Sequence, residues 1–143
     1  MEDLASMMAP VALSKAAAPS ALEEQLADLD AGFSETLLDL IDRSGKKDAE
    51  VYKKANIDRK LFSKIRKDRG YRPSKATAIA FAIALELNLE QTRDLIGRAG
   101  YALSHSSYFD VIIEFFIVNR EYNIFKINEV LFAYDQTPLG GIV

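Results

Sequence analysis

Apolar positions along this chain recur mainly at intervals of three and four, the spacing of one helix face, and no β-rich run with turn punctuation interrupts them. Ser20-Ala-Leu-Glu23 has capping-box spacing, and Leu22, Leu26 and Leu29 follow at helical intervals, which predicts a short amphipathic helix. Phe33, Leu37 and Ile41 share the face of a second helix. Ser34 is its expected N-cap, Phe33 and Leu38 are placed for a hydrophobic staple, and Gly45 is its stop. A third helix is predicted from about 49 to 55, opened by Asp48 and Glu50, whose carboxylates suit the positive end of the helix dipole. Asp58 is the expected cap of a helix over 59–67. Beyond the turn-rich segment Asp68-Arg-Gly-Tyr-Arg-Pro73, Ser74 caps a helix to Leu87 with Ile79, Ala80, Ile83, Ala84 and Leu87 as its core stripe. Asn88 is expected in the left-handed conformation, and a further helix over 90–99 ends at Gly100.

Residues 101–143 have a different pattern. A helix from Tyr108 to about Asn119, capped by Ser106 or Ser107, is apolar almost all round and is expected to be buried on every side. A second piece, 124–134, puts Ile124, Ile127 and Leu131 on one stripe, and the tail from Thr137 is expected to be loose. The fold class is all-α. Three regions follow: an Ala-rich flexible leader over 1–31, broken by Pro10 and Pro19; a helical domain over 32–100; and an apolar helical extension over 101–143.

Composition narrows the function. Of 143 residues, 49% are apolar and 27% charged, the balance of a soluble globule. There is no cysteine and a single histidine, His105, so no thiolate or His-rich metal site is expected, and no cofactor. His105 sits among serines, where a capping or solvent role suffices, and no nucleophile pattern surrounds it, so no catalytic residue is assigned and an enzyme is not expected. No apolar run approaches the roughly 18–20 residues of a membrane span, and the first residues are acidic where a signal peptide is basic. A cytoplasmic protein is the expectation. The net charge of −3 conceals a strong asymmetry. Residues 1–43 carry two basic and nine acidic side chains, residues 44–75 twelve basic and four acidic, and residues 76–143 four basic and eight acidic. The central block is an electrostatic footprint for a polyanion.

Two short helices joined by a tight turn inside that block are the pattern of a helix-turn-helix. The stretch Val51–Arg66, VYKKANIDRKLFSKIR, resembles the phage-repressor-like (lambda-repressor-like, XRE) bacterial family. Its turn reads Ala55, Asn56, Ile57, Asp58, with Asn in place of the usual glycine and Asp as cap; its recognition-helix core reads Phe62, Ser63, Lys64, Ile65. The resemblance covers about residues 33–100 and implies a five-helix bundle to which the C-terminal helical pair is added. Two positions depart from the pattern: Asp48 stands where a DNA-contacting Gln is common, and Tyr52 where a small alanine is common. The segment after Gly100, GYALSHSSYFDVIIEFF, resembles an accessory cassette that recurs beside other bacterial domains.

With Phe62 and Ile65 turned inward, Arg59, Lys60, Ser63, Lys64 and Lys67 are the expected outward face of the recognition helix. Arg59 and Lys60 suit guanine edges, and Ser63 is an undiscriminating partner. Lys46, Lys47, Arg69 and Arg72 lie at turns and suit phosphates. Leu61 is expected in partial core. The expected partner is double-stranded DNA, bound by a bacterial or phage transcriptional regulator that is a homodimer through residues 108–134. The alternative is a helical interaction module, an adaptor or antitoxin-like partner, built on the same scaffold. RNA is less favoured, since no basic surface interleaved with aromatics is visible in the sequence.

Overall fold

The structure, a computed structural model, describes residues 20–140. It is all-α, with eight helices and no strand among those residues: α1 (Ser20–Ala27), α2 (Phe33–Ser44), α3 (Asp48–Lys54), α4 (Arg59–Lys67), α5 (Lys75–Ala84), α6 (Leu89–Gly97), α7 (Tyr108–Val118) and α8 (Ile124–Ala133). The expected flexible leader lies, up to residue 19, outside the described residues. Two compact units divide between Asp30 and Ala31. In the first, α1 forms where the capping-box spacing predicts it. The rest of this description concerns the second. No helix among the described residues is long and apolar enough to cross a membrane.

The second unit is organised around α5. Every residue from Thr77 to Ala84 is buried, because α3, α6 and α8 all pack against this one helix. Alanines on α5 let those neighbours approach closely, and Phe81 fills the space that remains. Its ring lies 6.4 Å from Phe33 of α2 and 6.0 Å from Phe62 of α4, so one aromatic cluster ties three helices together. α2 packs on α6 and α4, and α7 packs on α6 and α8.

The helix ends follow local chemistry, with two corrections. Asp58 accepts from the Leu61 amide at 2.7 Å, Ser74 from Thr77 at 3.2 Å, and Asn123 from Phe125 at 2.9 Å. Of the two candidate serines, Ser107 is the cap of α7. Ser34 is not the cap of α2: Gly32 holds that position, and Ser34 is fully buried one residue inside the helix with its hydroxyl unpartnered. Packing of Phe33 on Phe81 draws the helix start toward the N-terminus. Asn88 is not left-handed. Glu86 takes that conformation (φ 54°) after α5 ends at Ala84, and Asn88 instead forms a capping box with Gln91 at the start of α6.

Two further expectations fail in the extension. α7 is not buried all round: Asp110, Ile113, Phe116 and Ile117 face inward, toward the side where α6 and α8 pack, but Tyr108, Val111, Phe115 and Val118 remain exposed. The tail is not loose over its described part. Leu139 is fully buried, and its amide and carbonyl both bond the Asn128 side chain, at 2.7 and 3.2 Å. Gly140 (φ 94°) lies so close to the α3–α4 turn that a Cβ there would stand 2.6 Å from the Asn56 carbonyl. An ion pair between half-buried Lys75 and buried Asp110 makes a second link: Lys75 Nζ of α5 is 2.7 Å from Asp110 Oδ1 and 2.9 Å from Oδ2 on α7. The Ser104 amide also donates to Oδ2, at 2.8 Å.

Candidate nucleic-acid interface

Four residues, Ala55 to Asp58, join α3 to α4. Asn56 turns the chain at φ 61°, with its amide donating to the Lys53 carbonyl and the Ile57 amide to the Tyr52 carbonyl. That paired closure is available to Asn with little steric penalty. Buried Ala55 and Ile57 then anchor the turn, and Asp58 opens α4. Tyr52 is accommodated half-buried, with its ring 5.4 Å from that of Phe62 and tilted 38° to it.

α4 is sharply two-faced. Phe62 and Ile65 are buried, Leu61 is half-buried as expected, and Arg59, Lys60, Lys64, Arg66 and Lys67 are exposed. Ser63 is half-buried at the edge of that face. Arg59, Lys60, Lys64 and Lys67 have no ion-pair partner among the described residues. A row of unneutralised cations on one helix raises the local potential for an anion of matching periodicity.

Arg66 differs from its neighbours. Its guanidinium lies 2.9 Å from Asp48 Oδ2 at the start of α3 and 5.8 Å from the Phe62 ring centroid. The Asp48 carboxylate, at the position where a DNA-contacting Gln is common, is thus neutralised within the chain. Nothing in an 18-residue separation announces this pair. Only the packing of α3 on α4 creates it.

The turn cations divide. Lys47 is exposed at the N-cap of α3, its amide donating to Glu50 Oε1 at 3.3 Å, and Arg69 is exposed in the loop after α4. Lys46 is half-buried, and its charge reaches Glu86, whose carboxyl is held below its usual range chiefly by a hydrogen bond from Lys54. Arg72 is engaged in the fold: Nε donates to the Ala99 carbonyl at 3.0 Å and the guanidinium lies 5.7 Å from the Tyr101 ring centroid. It joins the loop to the C-terminal end of α6, where a cation is favoured.

No protein-family model, curated protein or solved structure matches this chain. Its chemistry therefore has to be read from its own side chains. No group of three or more His, Asp or Glu side chains suited to a metal ion occurs among the described residues. His105 is exposed, and rather than capping it pairs through Nε2 with Glu114 Oε2 at 2.7 Å; Arg93 holds the other carboxylate oxygen at 3.0 Å. Asp39 pairs with Arg43 one helical turn away, at 3.0 Å. These acidic groups are ion-paired on the surface rather than gathered in a cleft.

Proposed function

We propose that the chain is a cytoplasmic helix-turn-helix protein of the lambda-repressor-like kind, reading double-stranded DNA with α4 as a transcriptional regulator. The observation that carries this reading is the outward row Arg59, Lys60, Lys64 and Lys67, unpaired while Arg66 is drawn off to Asp48. Arg59 and Lys60 stand in the first turn of α4, where side chains reach base edges when a helix enters a major groove. Ser63 adds a hydroxyl, and Lys46, Lys47 and Arg69 provide phosphate contacts. Arg72 supports the loop that carries Arg69 rather than contacting DNA itself. The reading is tested by selecting bound sequences from a random duplex pool and comparing the selected site with a scrambled one. Replacing Arg59 and Lys60 by Ala lowers affinity for the selected site far more than for the scrambled duplex, because a good bidentate contact carries about 1–3 kcal/mol of discrimination. Equal losses on both duplexes exclude α4 as the reader.

A homodimer belongs to this reading. Tyr108, Val111, Phe115 and Val118 recur at intervals of three, four and three, the seam of a helix that pairs with a like helix. A twofold axis lays this stripe against itself. The same exposed stripe is what favours the second reading, a helical interaction module; a stable heterocomplex with negligible duplex binding is its signature.

A further inference from the structure

We infer that the cleft between the C-terminal end of α3 and the α7–α8 turn is a nucleotide-binding site, with the base on Phe125 and the phosphate between Lys53 and Arg120. The cleft is an open groove of about 460 Å³, and its wall includes Lys53, Lys54, Glu86, Arg120, Tyr122 and Phe125. Lys54 is paired with Glu86, whereas Lys53 and Arg120 have no ion-pair partner among the described residues. Three cations against one carboxylate leave the cleft positive.

Two features separate it from an ordinary solvated surface. Phe125 is 71% exposed in the first turn of α8, a bare aromatic face beside those cations. No cation is stacked over the Phe125 ring among the described residues, so the ring is open to a ligand that carries a planar ring and an anionic group. Glu86 (φ 54°) and Arg120 (φ 55°) also end α5 and α7 in the left-handed conformation, where glycine carries no steric penalty. Both long side chains line this one cleft. Tyr122 fixes the wall by donating from its hydroxyl to the Leu87 carbonyl at 2.8 Å. The site does not use α4, so it stands independently of the DNA reading.

The shared chemistry, a base plus a phosphate, occurs in a free mononucleotide and in an unpaired strand, and the test has an arm for each. The full chain is titrated by calorimetry with AMP, adenosine, inorganic phosphate and octathymidylate. AMP binds at least tenfold more tightly than adenosine or inorganic phosphate. Phe125→Ala weakens AMP about tenfold or more, the usual effect of losing one stacked base, and leaves phosphate binding unchanged. Arg120→Gly keeps the turn and weakens both AMP and phosphate. Octathymidylate that displaces AMP at lower concentration assigns the site to single strands; failure to displace assigns it to free nucleotides. Arg59→Ala/Lys60→Ala leaves AMP affinity unchanged. No AMP or octathymidylate binding at millimolar concentration overturns the inference. So does unchanged AMP affinity in Phe125→Ala with native helix content, or loss of AMP binding in the α4 variant.

Discussion

Arg72 and Lys67 carry the same charge in the same basic block, yet their contacts set different roles. Arg72 donates to the Ala99 carbonyl and stacks on Tyr101, so Arg72→Ala is expected to lower stability by about 1–2 kcal/mol through a lost charge-assisted hydrogen bond. Lys67→Ala is expected to leave the urea midpoint unchanged and to weaken duplex binding. Ser34 illustrates the opposite sign. Its hydroxyl is buried without a partner, so Ser34→Ala is expected to match or exceed wild-type stability, by up to about 1 kcal/mol in urea unfolding. Glu86 adds a pH dependence. Its carboxyl is lowered chiefly by Lys54, so its contribution is present above the ordinary glutamate range and is lost as pH falls through the lowered folded value. The stability difference between wild type and Glu86→Gln is therefore expected to shrink as pH falls through and below the ordinary glutamate range, in parallel urea titrations.

Among the elements, α7 is apolar almost throughout yet only partly buried. Ile113, Phe116 and Ile117 turn inward, and Asp110 ties the helix to Lys75 of α5. The outward stripe of Tyr108, Val111, Phe115 and Val118 is only partly covered within the unit, with Tyr134 edge-on to Tyr108 at 6.0 Å. Burial at about 25 cal/mol/Å² makes its pairing with a second copy favourable. Sedimentation equilibrium of the full chain at micromolar concentration is expected to show a dimer. Phe115→Glu is expected to give a folded monomer, because the side chain it replaces is 61% exposed. A wild-type monomer at that concentration excludes the pairing.

At the scale of the molecule, charge is segregated. The +8 block of residues 44–75 lies between acidic stretches, so affinity for a polyanion is expected to follow this block instead of the net charge. Three or four phosphate contacts per subunit give about six to eight in a dimer, and log K is expected to fall with log salt at about −0.9 per contact. Filter binding between 50 and 200 mM salt measures this as a loss on the order of a thousandfold. A flat response points instead to the interaction-module reading. The described tail shapes the same surface from behind, since Leu139 and Gly140 seat on Asn128 and the Asn56 turn.

The all-α class and the helix positions were legible in sequence because they depend on short-range rules: caps at Asp58, Ser74 and Ser107, stops at Gly45 and Asn56, and apolar spacing within one or two turns. The inward turn of Phe62 and Ile65, and so the outward position of Arg59, Lys60, Lys64 and Lys67, was legible for the same reason. Ser34 and Asn88 were misread where a tertiary contact or a residue two positions away shifted a helix end. Everything that requires two distant segments to meet was hidden. Arg66 on Asp48, Arg72 on Ala99, Lys75 on Asp110 and Leu139 on Asn128 are pairs that no periodicity marks. The cleft of Lys53, Arg120 and Phe125 is of the same kind, a basic and aromatic surface assembled from segments nearly seventy residues apart. Local sequence determined which helices form and which face of each is apolar; only packing decided which cations remain available, because a charge is neutralised by its neighbours in space.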